Sequence, residues 1–549
     1  MSLRERNLER LSQDTFDVLI VGGGINGAVS AAALAARGVK VALIDQRDFA
    51  GFTSQHSSNL VWGGIKYMES YDFRLVAGLC KSRNELMRSF PSTVKEIRFL
   101  TTISKGFRHH PVMLWLGTWL YWLFGRGYTR TPNLLTADAI GGRESAVDIG
   151  NSRGGVEYSD AYLYDNDARF VFNFIRSAIR QGCCALNYVS GQQAVRGEND
   201  LWRVTTRDEI SGLEREVRSK VLINACGPYV DTLNQLANTH TSNRHVLSKG
   251  IHLIVPRIGN GDEVLAFFAD DGRLFFAIPM AHRTCIGTTD MRVSEPETEV
   301  TAEDRRFVLS NINSRLNLPQ PLTEEDVISE RCGVRPLAVR NGSEDSNNFL
   351  QLSRKHIVET QTENAHISIF GGKLTDCLNV GDEICEQVKQ LGIAMLAPAD
   401  RWYGEASDEE RGLYQQRVSE LGIDAYTAAD TGESLGDRLW RRYGLDAMTM
   451  LENIAADRSL ADPAIEGTGI SRVEIAYMKA HEMIVKLEDL LRRRSKLELI
   501  ERRSLLESSP GLKRVCRELF DDQADEKWAE YFNRRLEPEK DVENHPVSG

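Results

Sequence analysis

Phe16-Asp17-Val18-Leu19-Ile20-Val21-Gly22-Gly23-Gly24-Ile25-Asn26-Gly27 is the stretch that decides how this chain folds. A short apolar run enters G-x-G-x-x-G, and an alanine-rich segment follows. The pattern predicts a strand over Phe16–Val21, a glycine turn, a helix over Ala28–Arg37 and a second strand over Val39–Asp45. This is a parallel unit and not a hairpin. Gly22 permits the tight turn, Gly24 lets the backbone approach a pyrophosphate, and Gly27 lets helix and strand pack closely. The helix N-terminus adds unpaired N–H groups and partial positive charge. Asp45, 21 residues beyond Gly24, closes the second strand, where its carboxylate can accept ribose hydroxyls. A glycine turn in an unrelated α/β protein is the plainer alternative, but strand, helix and acid in register favour a dinucleotide. The motif does not separate FAD from NAD. No second copy follows, so a flavoprotein of this design lacks a nicotinamide site and points to quinone or oxygen as electron acceptor.

Outward from this unit, the pattern breaks into loops and short helices between about Gln46 and Asp148. Apolar segments at Val221–Ala225 and Ile367–Phe370 read as further strands of the first sheet. His252–Pro256, Leu274–Pro279 and Thr284–Thr288 read as an antiparallel sheet able to carry a substrate. Past Asp400 the sequence turns charged and helix-forming. Ser471 and Glu474 form a capping box, and Val473, Tyr477, Ala480, Ile484, Leu487 and Leu491 then hold one apolar face. The expected class is α/β: a Rossmann-type FAD-binding domain, an interleaved antiparallel substrate domain and an α-helical C-terminal cap. The ranges expected are 1–95 and 151–244 for the cofactor domain, 96–150 for an apolar segment facing substrate or membrane, and 245–330 for the substrate sheet. Residues 331–400 form the return to the active site, 401–536 the helical domain and 537–549 a disordered tail.

A length of 549 residues supports two or three such units, and the net charge of −11 argues against nucleic acid as a partner. Nine cysteines occur without metal-ligand spacing, so no metal is expected and the thiols read as reduced, as in the cytoplasm. Met1–Asp14 lacks the apolar core of an export signal. The apolar run Pro111–Phe124 has 14 residues, short of the ~20 needed to span a bilayer.

From Phe16 to about Lys373 the order of motifs resembles the FAD-dependent glycerol-3-phosphate dehydrogenases, within the D-amino-acid-oxidase-like superfamily. The helical end is similar to their C-terminal domain. The resemblance rests on Gly22 to Gly27, Ser57-Ser58, Gly63-Gly64, Tyr67-Met68-Glu69, Lys249-Gly250 with His252, and Gly287-Thr288-Thr289-Asp290. It continues through Gly333-Val334-Arg335-Pro336-Leu337, Ser353-Arg354 and Gly371-Gly372-Lys373-Leu374-Thr375. Asn224-Ala225-Cys226-Gly227 resembles the second flavin-contacting turn. The resemblance implies FAD as cofactor and oxidation of glycerol 3-phosphate to dihydroxyacetone phosphate by hydride transfer to flavin N5, with electrons passed to quinone. It places Ser57, Ser58, Gly63, Gly64, Ala225, Gly227, Gly372, Lys373, Leu374 and Thr375 at the cofactor beside Gly22, Gly24, Gly27 and Asp45. Lys66, Tyr67, Arg335 and Arg354 would bind substrate. His252, Arg335 and Lys373 would carry the chemistry: an imidazole for the proton, a guanidinium fork for the phosphate and a cation near the flavin.

Departures gather at the proposed pocket. The family motif S-S-K-L-I-H-G-G-L-R-Y here reads Ser57-Ser58-Asn59-Leu60-Val61-Trp62-Gly63-Gly64-Ile65-Lys66-Tyr67, so a lysine, a histidine and an arginine have become Asn59, Trp62 and Lys66. Lys355-His356 stand where Asp-Tyr often follows the arginine of the Ser353-Arg354 pair. A related oxidase or dehydrogenase for another small anionic alcohol or amine is therefore the alternative, and a non-catalytic flavoprotein a further one. Trp115, Trp119, Tyr121 and Trp122 among aliphatic residues, flanked by Lys105, Arg108, Arg126 and Arg130, suit peripheral contact with the inner face of the cytoplasmic membrane. A buried core helix is the competing reading, and a homodimer is left open.

Overall fold

The computed structural model describes residues 2–197, 199–268, 273–342, 355–398, 401–427 and 432–533. Two sheets organise the N-terminal three quarters of the chain. In the first, His366–Phe370, Glu214–Asn224, Thr15–Val21, Val41–Ile44 and Cys184–Leu186 lie side by side in that order and parallel. The central strand shows why this sheet is parallel: Phe16, Val18, Leu19 and Ile20 are all buried, because helices cover one face and packed strands the other. The alanine-rich helix begins at Ile25, not Ala28, with Gly24 as its N-cap, and ends at Ala36. Gly27, expected in the turn, thus lies in the first helical turn. Small side chains let this helix pack against Asp167–Arg180 and Cys377–Gln390. The second strand is shorter than expected, Val41–Ile44, since Asp45 turns away to bond Gly23.

The second sheet is built around Asn243–Pro256, which pairs antiparallel with Ser329–Arg340 on one side and Arg283–Gly287 on the other. His252–Pro256 is the end of that 14-residue strand. Val94–Ser104 and Ser152–Leu163 extend the same sheet. The sequence-based partition is corrected here: the boundaries at 95/96, 244/245 and 330/331 each cut through or clip a strand, and Ser152–Leu163 belongs to the substrate sheet instead of the cofactor domain. The chain crosses between the sheets several times, so no sequential partition separates them.

The C-terminal region holds two helical cores, one around Tyr414, Leu439, Trp440 and Met450, the other around Ile475, Met478, Leu490 and Leu512. The single amphipathic helix expected from Ser471 to Leu491 is interrupted. It ends at His481, and after a non-helical link a π-helical turn covers Asp489–Arg494. The buried Asp489 carboxylate causes the break by accepting the N–H groups of Val485 and Lys486 at 2.8 and 2.9 Å. The expected disordered tail, 537–549, lies outside the described residues, as does Arg354.

Candidate active site

A cavity opens at the C-terminal ends of the parallel strands, where ligands of such sheets collect. Its walls include Gly22, Gly24, Asp45, Ala225, Gly227 and Gly372, all expected at the cofactor, together with Gly51 to Ser54 and Val189 to Gly191. Gly22 has φ 107°, and a Cβ there would lie 2.5 Å from the Ala225 carbonyl oxygen. A Cβ at Gly27 would meet the Gly22 carbonyl oxygen at 1.8 Å, so this glycine serves packing and not the cavity wall. Asp45 donates nothing: its carboxylate accepts Gly23 N–H at 2.6 Å and Arg47 N–H at 2.8 Å. Burial pushes its pKa up to about 7, against the pull of those two bonds. Gly24 offers no side-chain cap, and Ile25 N–H already meets Ser54 Oγ at 3.0 Å, leaving the following N–H groups of the first turn for a phosphate. These features fit a dinucleotide pyrophosphate.

A second cluster lies on the face of the other sheet. His252 stands directly opposite Arg331, and Arg331, Gly333 and Arg335 alternate onto one face of their strand. The Arg335 guanidinium lies over Gly250, where a Cβ would come within 2.0 Å of it. It donates to Thr288 Oγ1 at 3.1 Å and to the Thr289 carbonyl at 3.3 Å, with Asp290 Oδ1 at 3.4 Å. Burial, then Arg335 and Arg331, lower the His252 pKa to about 3, so its imidazole is neutral at neutral pH. Lys373 Nζ lies 4.2 Å from the Tyr67 ring centroid and 5.8 Å from that of Trp62. Thr375 Oγ1 donates to the Trp62 carbonyl at 3.2 Å, joining the Gly-Gly-Lys-Leu-Thr turn to the segment that carries Lys66 and Tyr67. Lys66 is exposed, and Leu374 packs on the main core.

Residues 17–360 match the family model of FAD dependent oxidoreductases, and residues 399–527 match the C-terminal domain of alpha-glycerophosphate oxidase. A glycerol-3-phosphate dehydrogenase of Pseudomonas aeruginosa is 30% identical over 88% of this chain and 92% of its own length. The chain belongs to the FAD-dependent glycerol-3-phosphate dehydrogenase family. The aerobic glycerol-3-phosphate dehydrogenase of Escherichia coli is 30% identical over 88% of this chain and 94% of its own. The fold matches the glycerol-3-phosphate dehydrogenase of Bacillus halodurans complexed with FAD, with a TM-score of 0.73, 23% identity and 96% of each chain covered. FAD is the cofactor of this family member.

Around the family's site lie residues that sequence reasoning missed. Gly63 and Gly64 are absent from the cavity wall; Gly63 N–H instead donates to buried Asp160 at 2.9 Å, which also holds Arg83 at 2.9 Å and Tyr121 OH at 2.8 Å. Ser57 N–H and Oγ meet Asp167 Oδ2 at 2.9 and 2.8 Å. His356 is buried, with Nδ1 2.9 Å from Asp376 and Nε2 2.8 Å from Glu383. From the C-terminal domain, Arg493 and Arg494 reach Asp48, and Arg492 reaches the Gln55 carbonyl. The one available signal was the run of three arginines, 492–494, directly after the apolar pair Leu490-Leu491.

Proposed function

We propose that this protein oxidises glycerol 3-phosphate, or a closely similar small anionic alcohol, and delivers the electrons to a membrane quinone. The observation that carries the reading is the strand register that sets His252 opposite Arg331, with Arg335 farther along the same strand face. Burial is the main cause of the low His252 basicity, and a phosphate drawn to Arg335 would offset the added field of the arginines, raising that basicity as the substrate arrives. His252 then takes the hydroxyl proton, while Arg335 orients the anionic group through its planar fork. Lys373, packed over the Tyr67 ring, offers a fixed positive charge. FAD, when bound, supplies the two-electron oxidant that accepts the hydride. Names of the relatives, glycerol-3-phosphate dehydrogenases over most of their length, support this substrate class. Trp62 and Lys66 favour a second reading in the same class, a different anionic alcohol or amine.

Among the described residues no helix is long and apolar enough to cross a membrane. The helix Pro111–Phe124 nonetheless buries only Pro111, Thr118 and Tyr121, while Met113, Leu116, Leu120 and Leu123 are 38–60% exposed. That exposure counts against the core-helix reading and supports peripheral contact with a lipid surface, where a quinone would be met. Two of the expected basic flanks are locally neutralised, Arg108 by Glu69 at 2.8 Å and Arg130 by Glu96 at 3.3 Å, so apolar insertion is the larger attraction. Anaerobic mixing with a panel of phosphorylated alcohols, sulfonates and amino acids tests the substrate: bleaching by glycerol 3-phosphate is expected. Bleaching by another class alone would replace the reading. Reoxidation by a soluble quinone against oxygen tests the acceptor.

A further inference from the structure

Arg331 is completely buried, yet its environment supplies little to balance its charge. Its Nη1 donates to the Ser57 carbonyl and, at 3.2 Å, to Asn59 Oδ1. The nearest carboxylate, Asp167, stands 3.9 Å away and is already bonded to Ser57. Nε and Nη2 are buried with no hydrogen-bond partner among the described residues. Burying a guanidinium in this way is unfavourable unless a partner offsets the lost hydration. An apolar side chain would fill the space more favourably, so the charge has a use.

Asn59 indicates what that use is. The family motif carries a lysine here, directly after the two serines. In this chain the position adopts a left-handed backbone, φ 60°, which asparagine tolerates better than lysine. The Asn59 carboxamide bridges Arg331 to the Asp165 carbonyl, which its Nδ2 reaches at 3.3 Å. Ser57 and Asn59 come three and five residues after Ser54, the last of the Gly51 to Ser54 stretch that walls the cofactor cavity.

We propose that Arg331 supplies, from the substrate sheet, the fixed cation that the family motif carries at position 59, and so positions the Ser57–Asn59 turn against the cofactor. It acts through the turn and is a positioning residue. The same guanidinium also faces His252. The charged or titratable groups around that imidazole are Arg331 and Arg335 on the neighbouring strand and His56 on the cofactor turn, with Arg492 and Arg493 behind His56. The second consequence rests on the proposed role of His252; the first does not.

The test uses the full chain with Arg331→Ala, Arg331→Met, and each combined with Asn59→Lys. Apoprotein is titrated with FAD, its thermal unfolding is recorded separately, and the pH profile of anaerobic flavin reduction is measured. Both single variants should bind FAD at least about tenfold more weakly, and Asn59→Lys, strained at this left-handed position, should restore part of the loss. In Arg331→Met the acid limb of flavin reduction should move up by about one pH unit, because a like charge beside His252 has gone. Unchanged FAD affinity in both single variants would overturn the proposal, and so would doubles no better than the singles. If Arg331→Ala fails to fold, Arg331→Met, which keeps the bulk, carries the same comparison. Restored FAD binding in the doubles supports the Arg331 assignment, whereas a wild-type flavin that glycerol 3-phosphate does not reduce removes the substrate reading instead.

Discussion

Replacing Asp48 by Asn should loosen the C-terminal domain from the cofactor domain and weaken FAD retention with it. Asp48 is fully buried and accepts four bonds: Arg493 Nε at 2.7 Å, Arg494 Nη1 at 2.7 Å and Nη2 at 2.9 Å, and Asn187 Nδ2 at 2.9 Å. Three of these join the π-helical turn to the loop that walls the cofactor cavity. The carboxamide keeps the volume but removes the charge, leaving two buried guanidinium groups short of an anion. Breaking a buried pair in this manner costs about 3–5 kcal/mol. Arg493 keeps Glu488 and Asp489, so the lower end is expected. Burial raises the Asp48 pKa, but Arg494 and Arg493 outweigh it and hold the group below its ordinary value. A depressed carboxylate contributes stability that is present above the unfolded pKa and lost as pH falls through the folded one, so the wild type should lose this contribution below about pH 4 and the variant should not. Urea unfolding followed by both flavin fluorescence and circular dichroism reads the effect. Glu466→Gln, at the exposed pair with Arg514, is the control and should cost no more than about 1 kcal/mol. If Asp48→Asn cost no more than that control, the ion-pair reasoning would be refuted.

Gly27→Val should yield colourless protein, since even a Cβ would collide with the Gly22 carbonyl; retention of yellow FAD at full stoichiometry would contradict this. Burial alone would lower the His356 pKa, but Asp376 and then Glu383 raise it to about 9. The stability it contributes is therefore complete below the unfolded value near 6.5 and disappears as pH rises through about 9, and thermal unfolding of His356→Asn should lack that alkaline decline. Leu116→Gln with Leu123→Gln should abolish sedimentation with anionic liposomes while leaving turnover with a soluble dye intact; lost FAD would show that the helix packs inward. These outward residues are the better probes than Trp122, whose Nε1 already bonds the Thr129 carbonyl at 2.7 Å.

What could be read from the sequence was what neighbours in the chain determine. Gly22, Gly24, Gly27 and Asp45 act within one strand–turn–helix, so spacing was enough to place them. The strands around His252 were visible as apolar runs, but their pairing was not: His252 meets Arg331 only because two distant strands share a register. Arginines 492–494 carry no local sign of burial, because buried arginine is rare. Their partners, Asp48 and the Gln55 carbonyl, lie more than 400 residues away. The outward face of Pro111–Phe124 was undecided because periodicity does not say what covers a helix.

The departures from the family motif carry the same lesson further. Asn59 by itself reads as a lost charge, and Trp62 and Lys66 as a pocket reshaped for another substrate. In three dimensions Asn59 accepts a bond from a guanidinium 272 residues along the chain, in a strand whose own motif gave no hint of the exchange. The meaning of a substitution at such a position depends on the count of cations that distant segments supply and not on the aligned position alone. Arg331, Arg335, Lys373 and the C-terminal arginines place that count in three different segments. A substrate anion would sense the total field, while FAD would depend on the one cation that holds its turn. This separates the two properties physically, and explains how the recognition of substrate can drift in a chain whose hold on the cofactor is kept.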